Sequence, residues 1–254
     1  MQEQPIDTGP VRHYLMRAVR NPWALALLTG GIVVIWRGLL MLGPSRGLGV
    51  TMVFHFIALA AAPFLFLRQA GRRQMGLISR PSVAWIGTAI SCGVAAGILI
   101  GFVGLWWYGE SQHNWFVTVR DTMLRDARLR ALGSAQLFAA LAVPAAIFSP
   151  IGEELFFRGV FATIVTMAAG PVAATLCTAA VFGLMHIFHH GLVMSSAGLE
   201  LQPFSAMAWV LLTAGLSLMF TWLRVHSGSI WSAVCCHAVF NVTMVAFIVI
   251  ILGK

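Results

Sequence analysis

The sequence predicts an all-α fold, a polytopic bundle of about seven to eight transmembrane helices around a conical polar cavity. Three observations carry that prediction. Hydrophobic residues make up 59% of the chain and charged residues only 9%, whereas a soluble domain carries about 25% charged residues. Apolar windows recur along the chain, each long enough to cross a hydrocarbon core that requires about 20 residues per helix. The polar groups that interrupt these windows gather in three clusters in the second half. With 254 residues in all, no large soluble domain fits beside such a bundle.

Residues 1–22 form a polar segment carrying Glu3, Pro5, Asp7, Arg12, Arg17 and Arg20. It lacks the short apolar core and cleavage site of a signal peptide. The first span is therefore expected to act as an uncleaved insertion signal, and residues 23–254 to form a single transmembrane domain. The windows lie at 23–42, 50–67, 83–107, 135–167, 171–188, 204–223 and 230–252, which makes seven crossings. The fourth is too long for one straight crossing, and Pro144 with Ser149-Pro150 predicts a kink or break just before Glu153. Gly170-Pro171 marks the turn into the fifth.

Residues 114–130 read differently. Trp115, Phe116, Val119, Met123 and Leu124 alternate with Arg120, Asp121, Arg125, Asp126 and Arg128. That pattern predicts an amphipathic helix in the membrane interface, either a flap beside a site or a solvated connector. Arginines before the first span, at Arg68, Arg72, Arg73 and Arg80, and at Arg224 place the N-terminus in the cytoplasm by the positive-inside rule. Arg120 to Arg130 fall on the opposite side, where nearby acids and a membrane-parallel helix offset them. The net charge of +8 comes from arginines flanking spans, so it speaks for headgroups and against nucleic acid. Cys92, Cys177, Cys235 and Cys236 show no Cys-x-x-Cys spacing and read as small core residues.

The eight acidic residues include an adjacent pair, Glu153-Glu154, inside an apolar helix. A charged group there costs on the order of 2.5–3.5 kcal/mol even on lenient scales. Successive helical residues diverge by about 100°, so the two carboxylates cannot face one point. Glu154 and Arg158 stand at i, i+4 and can pair, which makes Glu153 the freer carboxylate. In the second cluster Phe182 lies one turn before His186 and can wall its imidazole. Gly183 admits a close neighbouring helix, and His189 and His190 read as interfacial. In the third, His237 and Asn241 share one helical face and could both donate to one oxygen. Each cluster alone is equally compatible with helix-packing hydrogen bonds. Outside them, Arg37 reads as a snorkelling residue near the end of the first span, and His55 as a hydrogen-bonded core histidine. Together the clusters supply a base, an orienting partner and oxyanion donors, the requirements of hydrolysis.

Glu153-Glu154…Arg158, Phe182…His186 and His237…Asn241 resemble, in order, the E-E-x-x-x-R, F-x-x-x-H and H-x-x-x-N motifs of the CAAX prenyl protease and bacteriocin-processing (CPBP, or ABI) family of intramembrane proteases. The resemblance covers residues 135–245. It implies an intramembrane endopeptidase in which Glu153 activates water, His186 positions or shares it, and His237 with Asn241 stabilises the oxyanion. Glu154 and Arg158 brace the site. No cofactor is expected, zinc on Glu153, His186 and His237 being the alternative; no His-Glu-x-x-His helix is present. Other readings of the same groups are a proton-coupled transporter and a non-catalytic immunity or partner protein. No Gly-x-Ser-Gly appears, and Ser229 reads as an ordinary helix N-cap.

The expected partner is a membrane-embedded or lipid-tethered peptide or protein, in a prokaryotic inner membrane. Depth poses a constraint. His237 lies only about eight residues beyond Ser229, whereas Glu153 and His186 lie about 17 and 15 residues from the Gly170-Pro171 turn. Either the last helix begins deep in the bilayer, or the fourth and fifth enter it unevenly.

Overall fold

The computed structural model describes residues 9–43, 48–195 and 198–253; Glu3, Pro5 and Asp7 of the N-terminal segment lie outside them. Helices follow one another in the order α1 (His13–Val19), α2 (Pro22–Leu42), α3 (Leu48–Phe66), α4 (Gln69–Gln74), α5 (Val83–Tyr108), α6 (Trp115–Met123), α7 (Ala127–Arg130), α8 (Ser134–Glu154), α9 (Ala162–Met185), α10 (Pro203–Ser227) and α11 (Ile230–Phe247). Their starts are written locally. Asn21 caps α2 ahead of Pro22, and Ser82 and Ser229 cap α5 and α11 through their side chains, satisfying amide donors that have no partner inside the helix.

Among the described residues six helices are long and apolar enough to cross a membrane, one of them the continuous stretch Ser134–Phe188. That stretch is a hairpin. Gly170 takes φ 82° and ψ 176°, a conformation open to glycine and strained for other residues. Phe157 and Phe182 would stand about 37 Å apart along a straight helix, yet their rings meet at 5.3 Å. The chain therefore reverses at Gly170, which divides this stretch into two of the seven apolar helices that the windows predict.

Lipid-facing and packed surfaces are separated along α5. Trp85 lies at one end against Trp222, and Trp106 and Trp107 lie at the other, about 32 Å away at the helical rise. This spacing matches interfacial aromatic belts on a hydrocarbon core about 30 Å thick. Leu99 and Phe102 are exposed between them. The opposite stripe, Gly93, Gly97, Gly101 and Gly104, is buried. A Cβ at Gly93 would lie 2.6 Å from the carbonyl oxygen of Cys236, and one at Gly97 2.7 Å from Thr243. Small residues thus let α5 and α11 touch backbone to backbone, as membrane helices do where hydrophobicity supplies no driving force between them.

The depth constraint is resolved by the segment after α4. Ser229 and Ile230, where α11 begins, are fully buried. Ser229 Oγ donates to Ser79 O at 2.6 Å, and Trp231 Nε1 donates to Leu77 O at 2.9 Å. Residues 75–79 thus lie over the start of the last helix, so it begins beneath the surface of the bundle.

One local expectation is corrected. No break precedes Glu153: α8 runs through Pro144 and Pro150 to Glu154. The irregularity follows instead, as a π-helix over Leu155–Phe161, a widened turn common at functional sites. A small antiparallel hairpin, β1 (Leu192–Ser195) with β2 (Gly198–Leu201), pairs Leu192 with Leu201 after the fifth crossing; four-residue strands leave little period for sequence to reveal.

Candidate active site

A cavity of about 490 Å³ lies among α2, α3, α6, α7, α8, α9, α10 and α11. Its walls are largely apolar, including Met52, Val53, Phe56, Leu141 and Phe148, with Arg37, Ser149, His186, His189, His237 and Asn241 among them. Arg125, Asp126 and Arg128 also line it, and the Arg128 side chain is 90% exposed, so the cavity opens along α6 and α7. There the Arg128 guanidinium donates to Asp126 and holds its carboxyl down at about 2. The amphipathic stretch is broken at Leu124–Asp126 into these two helices, and Trp115 to Thr118 are buried against the rest of the protein. The Trp115 ring stacks on Trp209 at 5.9 Å.

Two of the three motifs line this cavity with Phe182, His186, His237 and Asn241, and the first is joined to it by the hydrogen bonds of Glu153 to Arg37 and of Glu154 to His237. His186 Nδ1 stands 2.7 Å from Phe182 O, an acceptor only, so Nδ1 carries the proton and Nε2 keeps a lone pair. The Phe182 ring lies 4.4 Å from the imidazole, the wall that the spacing predicts. Gly183 admits α10, since a Cβ there would meet Val210 O at 2.6 Å. Trp209 Nε1 donates to His186 O at 3.1 Å and fixes the end of α9.

On α11, Asn241 Nδ2 donates to Ala145 O at 2.9 Å, between the two prolines of α8. His237 Nδ1 lies 2.8 Å from Glu154 Oε1, and Phe220 stacks on its imidazole at 4.9 Å. The same Glu154 oxygen accepts from Arg158 Nη1 at 3.1 Å. Arg158 in turn lies over Phe182 at 4.4 Å and Phe220 at 5.2 Å, a desolvated cation on aromatic faces. The expected Glu154–Arg158 pair is present, and Glu154 holds a histidine as well as an arginine.

Glu153 is not the freer carboxylate. Its Oε1 accepts from Arg37 Nη2 at 2.7 Å and from Ser149 Oγ at 3.3 Å. It is 1% exposed and stands behind the cavity wall, whereas Arg37 and Ser149 line the wall. Oε2 is buried without a hydrogen-bond partner. Phe182 lies between His186 and His237, at 4.4 and 6.1 Å from their rings, and Arg37 joins Glu153 to His189, whose ring lies 5.0 Å from that of His186, so the residues that the motifs name lie in one neighbourhood.

Arg37 is a correction with a physical reason. Snorkelling requires a path to water, and the Arg37 side chain is fully buried. It also donates to His55 Nε2 at 3.4 Å and meets His189 Nε2 at 3.0 Å. His55, read as a hydrogen-bonded core histidine, is one. His189 and His190 both have protein partners, His189 on Arg37 and the fully buried His190 with Nδ1 on Thr118 Oγ1 at 2.9 Å. Backbone contact brings α3 here, since a Cβ at Gly152 would lie 2.5 Å from Phe56 O. A sequence signal existed: only Glu153 and Glu154 among the acids fall inside predicted spans, so a buried Arg37 had no other carboxylate to find.

A zinc site would require three donors around one point. Among the described residues no three His, Cys, Asp or Glu side chains are grouped to hold a metal ion. A guanidinium also occupies one Glu153 oxygen.

Residues 135–243 match the family model for type II CAAX prenyl endopeptidase, Rce1-like, which spans all three motifs. No curated protein and no solved structure matches the chain.

Proposed function

From the membership of its motif-bearing segment in the CAAX protease family, we infer that this integral membrane protein is an intramembrane endopeptidase that uses a glutamate-activated water. The observation that carries the reading is the hydrogen bond from Arg37, which shares the cavity wall with His186, His237 and Asn241, to Glu153 Oε1, with Oε2 of that carboxylate left without a hydrogen-bond partner. Water held between Glu153 Oε2 and His186 Nε2 attacks the carbonyl carbon of the scissile bond and gives its proton to Glu153. The resulting oxyanion takes hydrogen bonds from the Asn241 amide and from the His237 imidazolium, whose charge Glu154 supports through Nδ1–H. Glu153 then delivers the proton to the departing nitrogen, the C–N bond breaks, and a carboxylic acid and an amine leave. Preorganised donors of this kind are worth about 10²–10³ in rate each. No step requires a metal.

The substrate is a membrane-embedded or lipid-tethered peptide tail. The largely apolar cavity walls suit a lipid-borne or apolar segment, and the exposed Arg125–Arg128 stretch gives a polar chain a way in at the interface. The N-terminus is cytoplasmic in this reading, and the membrane is a prokaryotic inner one.

Glu153→Gln tests the chemistry. The variant, reconstituted in liposomes with an internally quenched, prenylated peptide ending in a CAAX tail, is expected to lose cleavage by at least about 10³-fold while remaining monodisperse. Membranes of cells carrying it should accumulate uncut tails. Wild-type turnover in Glu153→Gln would sink the assignment.

A further inference from the structure

Arg37 lies on the first crossing, outside the segment matched by the family model and outside all three motifs. It is fully buried, yet its side chain lines the cavity. Its donors are distributed over three elements. Nη2 reaches Glu153 Oε1 on α8, Nη1 meets His189 Nε2 beyond α9, and Nε reaches His55 Nε2 on α3. The guanidinium plane also rests on Phe56 at 4.9 Å. Of these partners only Glu153 carries negative charge. The two imidazole nitrogens serve as neutral acceptors that fix the fork in one orientation, and a fork fixed in this way loses little further freedom in binding a carboxylate.

We propose that Arg37 is the positioning residue of the general base. It holds Glu153 Oε1, with Ser149 as second donor, so that Oε2 alone is left to meet water. The proposal rests on the reading of Glu153 as base. Two consequences of the geometry distinguish it from a packing role. First, a carboxylate away from water requires a partnered counter-charge, and Glu154 already occupies Arg158, so Arg37 is the cation left for Glu153 in this cluster. Second, a carboxylate held at one oxygen by a fixed fork cannot rotate Oε2 away from the water. Without the fork the carboxylate swings about its χ3 bond, a broad two-fold torsion. The loss should therefore appear in turnover and leave substrate binding nearly intact.

The test compares Arg37→Lys and Arg37→Ala with wild type and Glu153→Gln, in liposomes with the same quenched prenylated peptide. Arg37→Ala should lower kcat by about 10²-fold, the penalty of misplacing a reacting group by about 1 Å, with KM changed by less than about threefold. Arg37→Lys, a point charge without the fork, should fall between. Added guanidinium should restore part of the Arg37→Ala turnover and none of the Glu153→Gln turnover, and urea at equal concentration should restore neither. Wild-type kcat in either monodisperse Arg37 variant overturns the proposal, as does a rise in KM alone. Loss of fold in both variants assigns Arg37 to the scaffold and overturns it equally. An active Glu153→Gln variant instead overturns the reading of Glu153 as base, whatever the Arg37 variants do.

Discussion

The α5–α11 contact gives a prediction that runs from one hydrogen atom to catalysis. Gly93→Ala adds a Cβ that would sit 2.6 Å from Cys236 O, 2.9 Å from Val239 Cβ and 3.0 Å from Phe240 N. Ordinary contact begins near 3.4 Å, so the helices must separate by about 0.8 Å at this level. The obstacle is largely backbone, which cannot rotate aside as a flexible side chain would. Cys236 immediately precedes His237, and Phe240 immediately precedes Asn241, so the displacement passes directly to both proposed oxyanion donors. Overpacking of this kind destabilises by about 1–3 kcal/mol. A shift approaching 1 Å in catalytic groups lowers turnover by up to about 10²-fold. The assay is cleavage of the quenched prenylated peptide beside a thermal melt in detergent. Gly87→Ala is the control, on the same helix, because a Cβ there meets nothing within 4 Å. Gly93→Ala should lose about 10- to 100-fold in kcat with a modest drop in melting temperature. Equal activity in the two variants would refute the claim that this contact sets the position of His237 and Asn241.

Two further outcomes follow from the charges and the donor set. Glu154→Gln leaves Arg158 buried without a carboxylate, which should destabilise by about 3–5 kcal/mol, and removes the anion that orients His237, so both melting temperature and kcat should fall. Replacing the pair with Glu154→Leu and Arg158→Met should recover much of the stability and none of the activity; recovered activity would return Glu154 to a purely structural role. Exhaustive chelation should leave peptide cleavage at the untreated rate, as read by fluorescence before and after dialysis, and loss restored by zinc would refute the metal-free mechanism.

How far the sequence reached depended on the range of each interaction. The spans were legible because lipid exposure is written in every residue of a window. The Glu154–Arg158 pair and the Phe182–His186 wall were legible because helical geometry fixes neighbours at i+4. The His237–Glu154 bond was not, since 83 residues separate the partners. Nor was the buried start of α11, which depends on how residues 75–79 fold back over Ser229. The break was misplaced for a related reason. Proline marks where a helix is weakened, and tertiary packing decides whether it bends; here α8 absorbs Pro144 and Pro150, and the irregular turn falls at Leu155–Phe161.

Arg37 shows what local reading omits. Its position near the end of a span suggested a route to water, and the fold closes that route with Phe56, His55 and His189. A chain-wide charge count would have found its partner. Glu153 and Glu154 are the acids inside predicted spans, and each has an arginine of its own at hydrogen-bond distance, Arg37 at 2.7 Å and Arg158 at 3.1 Å. The formal charges of these two pairs therefore cancel, which lets two carboxylates persist where one unpaired carboxylate would cost several kcal/mol. Cancellation also divides the work. The pair on α8 and its π-helical extension is local, is anchored on aromatic faces and orients His237 (the scaffold of the oxyanion side). The pair between α2 and α8 is long-range, stands at the cavity wall and leaves Oε2 unbonded (the water side). In the proposed mechanism an arginine pairs each carboxylate at Oε1 and leaves its Oε2 unbonded, so the two glutamates are told apart by their second partners, Ser149 for Glu153 and His237 for Glu154.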